Sequence, residues 1–388
     1  MRIVCSGFLV RYPFGGKSWH ELQYLLGLKR LGHDVIYVEH FGWPSSCFDP
    51  AMNVMTSDPN YGISVLRGLL HRHGLDHWCY IAEDGTTYGM ARKELEGHAD
   101  ECDLYINLSN VNWIPQLEGC SRRVLIDTDP VFTQIGAHGL GGVHTRYHAL
   151  FTYGHNVHQA SSSMPTGGLH WHPTRPPVVL DRWSVEVGSP AAPFSTVMNW
   201  RPIGDQMFEG RVYGMKEREF EPYYFLPRET KQPMEIAVKV PQLVRDRLSA
   251  GGWELIDPFH ITRSALSYQT YLKSSRAEFS VAKHGYVASW CGWFSERSAS
   301  YLASGRPVVI QDTGFSQWLP IGSGVIPFKT HDEAIAGIEK INTSYDRQCR
   351  AARDIAEEYF ASNKVLNSLI EVSMNSSNGS LNAGSLSI

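Results

Sequence analysis

The first forty residues restrict the fold more tightly than any other stretch. Residues 2–10, RIVCSGFLV, are apolar and rich in β-branched side chains. An unbroken run of that kind suits a strand buried on both faces of a parallel sheet. The loop RYPFGGKS follows, and then Trp19 to Leu31 carries apolar residues at helical spacing. Gly32 stands where a helix C-cap belongs. Val35-Ile36-Tyr37-Val38 is the next strand. Strand, helix, strand in that order implies a right-handed crossover and a parallel sheet.

The same grammar continues. Asp103–Leu108, Arg123–Asp127 and His148–Tyr153 read as strands. Each ends in polar residues, as strand ends opening on a ligand crevice should. A second set begins at Phe194–Met198, with a strand at Glu235–Val238 running into a helix through Leu248. Ala277–Val281 and Pro307–Ile310 complete it. A chain of 388 residues exceeds what one ordinary core fills and suits two α/β domains. We place the first at 1–180 and the second at 190–340. The Pro-, Gly- and Ser-rich stretch 160–193 is the expected crossing between them. Residues 341–373 are expected to cross back to the first domain, within a 331–373 region of two helices. The polar tail 374–388 is expected to be disordered.

Composition excludes several classes. Hydrophobic residues make up 43% and charged residues 19%, which is globular and not disordered. The net charge is −4 and Lys and Arg do not cluster, so nucleic acid is not the expected partner. No apolar run reaches the length of a membrane span. The start MRIVCSGFLV lacks the layout of a signal peptide. Seven cysteines, an odd number without a CxxC pair, argue against a disulfide framework and for a reducing compartment. The expected location is the cytoplasm.

The loop Gly15-Gly16-Lys17-Ser18 looks like part of a P-loop, but the glycine that motif needs five residues before Gly16 is Arg11. No G-x-G-x-x-G follows the first strand either. What remains is a glycine pair at the mouth of a helix, where bare N–H groups suit an anion. The run GGKSWHELQYLLGLKRLGHDV resembles the opening of GT-B glycosyltransferases, in which a Gly-Gly loop, an amphipathic helix and Gly-His-x-Val recur. Residues 292–314, GWFSERSASYLASGRPVVIQDTG, resemble that family's donor-binding helix and following strand, written Ala-x-Gly-x-Pro-Val. Gly322-Ser323-Gly324-Val325, Phe328 and Asp332-Glu333-Ala334 match its glycine-bounded strand before an acidic helix start. The resemblance implies a GT-B architecture: α/β, two Rossmann-like domains facing each other across a cleft. It also implies sugar transfer from a nucleotide-diphosphate donor such as a UDP-sugar, with no metal and no further cofactor. The best-known retaining subfamily carries two glutamates eight positions apart here. In this chain those positions are Gly292 and Ser300, which leaves retention or inversion open.

Sugar transfer needs cations for the leaving diphosphate, an oriented acceptor and a closed cleft. For the phosphates the candidates are Lys283 and Arg297, then Lys216, with the helix start at Ser295-Glu296 and the loop Gly15-Gly16 beside them. Asn199 ends the first strand of the second domain. Asp312-Thr313-Gly314 follow the Pro-Val-Val-Ile strand as donor-sugar contacts or a helix cap. For catalysis the candidates are Asp127 and Asp129, whose turn ends a strand on the acceptor side. Pro130 holds Asp129 extended. The competing reading of either carboxylate is an Asx-turn or helix cap. Glu21, His20 and Glu296 are the fallback bases. His155, His158, His170 and His172 lie close in sequence without the ligand spacing of zinc. The acceptor is expected to be a small molecule or glycan. An epimerase or phosphorylase of the same fold, or a non-catalytic carbohydrate- or nucleotide-binding protein, is the alternative.

Overall fold

The computed structural model describes residues 1–50, 52–139, 146–186 and 188–376. The first half contributes β1 (Arg2–Ser6), β2 (Asp34–His40), a surface hairpin of β3 (Cys47–Asp49) and β4 (Val54–Thr56), and β5 (Trp78–Ile81). It continues with β6 (Thr87–Gly89), β7 (Leu104–Leu108), β8 (Arg122–Asp127), β9 (Ala149–Thr152) and β10 (Trp171–Pro173). All but the hairpin join one sheet in the order β10-β9-β8-β7-β1-β2-β5-β6, parallel except for β6. The second half holds β11 (Phe194–Met198), a hairpin of β12 (Gln206–Phe208) and β13 (Arg211–Tyr213), β14 (Met234–Val238), β15 (Glu254–Ile256), β16 (Ala277–Ser280), β17 (Val308–Gln311) and β18 (Val325–Phe328). Its parallel sheet runs β15-β14-β11-β16-β17-β18. In each sheet the order reverses beside the first strand, so each has a switch point where loops diverge and leave a crevice.

The central strands owe their place to two-sided burial. On β1, Ile3 and Cys5 face one apolar layer and Val4 faces the other, all fully buried. The strand is shorter than the apolar run predicts. It stops at Ser6, although Leu9 and Val10 are buried. Side chains replace sheet partners here: the N–H groups of Phe8, Leu9, Val10 and Arg11 donate to Glu21, Tyr37 and Glu39. The first helix begins at Gly15, four residues before the apolar periodicity, and ends at Arg30, with Gly32 at φ +84° just beyond.

Four further expectations are corrected. The stretch 160–193 is not all crossing, because β10 adds to the first sheet. The chain passes between the sheets only at residues 174–193. The region 331–373 holds three helices, His331–Thr343, Tyr345–Ile355 and Ser362–Asn375. The last of these packs on the first helix, with Leu366 and Ser362 against Gly27. It continues through Asn375, so the expected disordered tail does not begin at 374; residues 377–388 lie outside the described ones. Finally, Cys102 and Cys120 form a disulfide, their Cα atoms 5.0 Å apart. They precede β7 and β8, which are parallel neighbours, and counting cysteines does not reveal that adjacency. No described helix is long and apolar enough to cross a membrane.

Candidate active site between the two sheets

The first helix, Gly15–Arg30, meets the second half along the helix Ala265–Ser274. The Trp19 indole N–H donates to the Ala265 carbonyl at 2.7 Å. Gly15 is a point of close approach: a Cβ there would lie 2.2 Å from the Ser264 carbonyl oxygen. Gly16 faces the Tyr268 ring. The glycine pair thus seats the two halves together. Just beyond it lies a cavity walled by Trp19, His20, Gln23 and Pro177 on one side and by Tyr268, Glu296, Arg297 and Ser300 on the other.

The polar groups on the first-half wall have definite states. Lys17 Nζ lies 3.3 Å from His20 Nδ1. An ammonium has only donors, so Nδ1 accepts, and the imidazole proton sits on Nε2, directed at Tyr153 Oη at 3.3 Å. Burial, with the Lys17 charge adding, holds His20 well below the usual histidine range. Glu21 is fully buried and receives the Phe8 N–H and the Tyr37 hydroxyl, each at 2.9 Å. Neither His20 nor Glu21 is therefore a free base. Gln23 Oε1 accepts from the Val179 N–H at 2.6 Å, and its buried Nε2 has no partner. No sequence motif marks Lys17, Gln23 or Tyr268 as site residues: the loop Gly15-Gly16-Lys17-Ser18 fails the P-loop pattern, and the other two sit in ordinary helical sequence.

Opposite, the three expected cations converge. Arg297 is nearly enclosed: Nε donates to Glu278 and Nη2 to Ser280 Oγ, both at 2.7 Å, and Nη1 to the Val197 carbonyl at 2.5 Å. Those contacts pin β11 and β16 to the helix Glu296–Ala303 and leave little of the guanidinium for a ligand. Lys216 is buried, and its ammonium makes no hydrogen bond or ion pair among the described residues. Desolvation, with the Arg297 charge adding, pushes its ammonium down to about 7, and Lys283 acts in the same direction. Lys283 itself reaches across to the first half, its Nζ 2.7 Å from both carboxylate oxygens of Asp129. Glu296 lines the cavity, and among the described residues it has no cationic partner within 4 Å; its carboxylate accepts from the Ser295 hydroxyl at 3.4 Å.

The two aspartates of the β8 turn have separate fates. Asp127 is fully buried and accepts from Gln134 at 2.8 Å, Thr152 at 2.6 Å and the Asp129 N–H at 2.9 Å. Its carboxylate is saturated inside the first half and holds the turn, which corrects its expected catalytic role. Asp129 projects outward to Lys283 and also accepts from the Tyr286 hydroxyl. The backbone after it is strained, since Val131 sits at φ +74°, a conformation a β-branched residue avoids.

The remaining candidates are mostly architectural. Asp312 accepts from the Gly314 N–H at 2.9 Å and the Ser316 hydroxyl at 2.7 Å, which holds the loop leading into Phe315–Gln317. Thr313 Oγ1 donates to the Trp293 carbonyl at 2.6 Å. Gly314, at φ +96°, lets Asn156 of the first half approach. Ser295 caps the helix Glu296–Ala303 by accepting the Arg297 N–H at 3.1 Å. Asn199 is exposed beyond β11. His155 stacks on Trp318, and His158 stacks on His170, whose ring meets His172 edge-on. No group of His, Cys, Asp or Glu suited to a metal occurs among the described residues.

Two sheets of like order, closed on one another at their strand ends, have counterparts among solved structures. An α-glucosyltransferase in complex with UDP and a 13-mer DNA matches with TM-score 0.57 at 11% identity, over 96% of this chain and 99% of that one. The chain has the GT-B fold. A glycosyltransferase from Rickettsia africae matches with TM-score 0.54 at 9% identity, over 96% of this chain and 97% of that one. A sucrose-phosphate synthase from Thermosynechococcus elongatus matches with TM-score 0.53 at 9% identity, over 96% and 98%. No family model and no curated protein matches the sequence.

Proposed function

We propose that this GT-B chain is a glycosyltransferase that moves a sugar from a nucleotide-diphosphate donor to an acceptor hydroxyl, without a metal. The observation that carries the reading is Lys216: a buried lysine with no acidic partner, held among Arg297, Lys283 and Glu296 at the strand ends of the second sheet. An ammonium kept out of water without an anion favours a ligand that supplies one. Two phosphates do so, and the charge that builds on them as the glycosidic bond breaks would be met by Lys216 and Lys283. Glu296, facing the cavity, suits a donor-sugar hydroxyl.

Solved structures that share this fold include proteins bound to UDP or UDP-glucose, which supports a UDP-sugar as donor. On the acceptor side Asp129 is the carboxylate directed at the cleft, whereas Asp127 is saturated internally. We place the acceptor among small molecules and glycans, since a chain with net charge −4 offers no evident track for a phosphate backbone. A thermal-shift and calorimetric series over UDP, GDP, ADP and dTDP tests the donor. One nucleotide should bind, bind equally in excess EDTA, and weaken roughly ten- to a hundredfold in Lys216→Ala, about 1.5–3 kcal/mol for a charge-assisted contact. Binding that requires a divalent cation, or that is indifferent to Lys216, would overturn the reading.

A further inference from the structure

Lys283 is paired with a carboxylate from the opposite half of the molecule, and that pairing has a consequence for the order of events. The three cations that the second half brings to the site are balanced differently. Arg297 is neutralised by Glu278, a buried neighbour on its own sheet. Lys216 is not neutralised. Lys283 is neutralised by Asp129, which belongs to the facing sheet and is 40% exposed. Moving the two halves apart would leave the first pair together and separate the last. The grip on Lys283 is also more than an ion pair. Tyr286 donates its hydroxyl to the same carboxylate. The Phe132 ring lies 4.6 Å from Lys283 Nζ and packs edge-on to Tyr286 at 5.9 Å. The strained Val131 lies between Asp129 and Phe132.

We propose that Asp129 and the donor's diphosphate are alternative partners of Lys283, so that donor binding releases the carboxylate that activates the acceptor. This inference rests on the glycosyltransferase reading. Asp129 holds Lys283 and so bridges the two halves. An arriving diphosphate carries more negative charge than one carboxylate and is met by Lys216 as well, so it displaces Asp129. The freed carboxylate, still held by Tyr286, then accepts the proton of an acceptor hydroxyl. The hydroxyl oxygen bonds to the anomeric carbon. The bond from that carbon to the diphosphate oxygen breaks, its electron pair leaving with the diphosphate. Asp129 is thus a latch before the donor arrives and a base afterwards, and the acceptor is activated only on a loaded enzyme.

The test is calorimetry with UDP, or whichever nucleoside diphosphate binds best, on the wild type, Asp129→Asn, Lys283→Ala and the double variant, each checked for folding by thermal melt. Asp129→Asn should bind the nucleotide more tightly, on the order of tenfold, within the usual range of coupling between two ligands of one site. Lys283→Ala should bind it more weakly, and the double variant should behave like Lys283→Ala alone. Turnover of Asp129→Asn should fall even though its affinity rises, a split that a merely structural residue does not produce. Equal affinity in wild type and Asp129→Asn, with Lys283→Ala weakened, overturns the exchange and leaves the donor reading intact. Absence of binding by any nucleoside diphosphate, to wild type and Asp129→Asn alike, removes the donor reading itself. If the asparagine variant misfolds, Asp129→Ala removes the same carboxylate and is held to the same comparison.

Discussion

Lys216 and Arg297 are both buried cations, yet only one of them titrates usefully. Arg297 has Glu278 beside it and remains charged. Lys216 has burial against it and no carboxylate in contact, and loses its proton at about 7. The unfolded chain holds that proton up to the ordinary lysine value of 10.5. Between about 7 and 10.5 the unfolded state therefore binds more protons, and stability of the ligand-free protein rises with pH. A bound diphosphate reverses the preference, because it stabilises the ammonium. Nucleotide affinity should accordingly fall as pH rises above 7, by up to about tenfold per pH unit, with uptake of one proton on binding. Calorimetry in buffers of different ionisation enthalpy measures that proton directly. Lys216→Met should abolish the uptake while keeping the fold, and uptake that persists in the variant would assign it to another group.

At the scale of elements, the glycine loop and the first helix dock the two halves together. Gly15 and Gly16, whose N–H groups are the sequence's candidates for an anion, lie against Ser264 and Tyr268. The helix Gly15–Arg30 is held by Trp19 to Ala265 on one flank and by the Ser362–Asn375 helix on the other. It presents Lys17, His20 and Gln23 to the cleft only because that seat is tight. Gly15→Ala would place a methyl 2.2 Å from a backbone oxygen that cannot swing aside. Such overpacking costs about 1–3 kcal/mol. A lowered melting temperature together with weakened nucleotide binding is the expected outcome. An unchanged melting temperature would show that the two helices separate freely.

Across the whole molecule the two halves share one core. A single apolar cluster runs from β1 and the first helix through Tyr268 and Leu272 to Tyr301 and Phe360. The chain crosses at 174–193 and returns at Ala361, where Val178 pairs with it. The Arg353 guanidinium bonds the carbonyls of Trp183 and Ala303 and so ties the crossing to the donor side. The last helix then covers the first half with Val365, Leu366 and Leu369. Truncation after Ala361 should therefore destabilise residues 1–173, the half remote in sequence. Each buried leucine removed costs about 1.5–3 kcal/mol of burial. Hydrogen exchange on the truncated chain should show loss of protection in the helix Gly15–Arg30 first. Loss confined to residues 194–343 would contradict this account.

Local patterning was enough to set out the two parallel sheets, because a strand buried on both faces is written in consecutive residues such as Ile3, Val4 and Cys5. It also singled out Lys216, Lys283 and Arg297 as cations beside apolar segments, and the structure brings the three near one another. It could not assign their partners. Whether a carboxylate is a base or a brace depends on what packs around it, and Asp127 and Asp129, two residues apart, face opposite ways: one is enclosed by Gln134 and Thr152, the other meets Lys283 across the cleft. The Cys102–Cys120 bond and the return of the last helix onto Gly27 belong to the same class of fact. Both depend on which strand and which helix become neighbours. Hydrophobic periodicity fixes each element's buried face, and only the packed tertiary structure decides what that face and its charges meet.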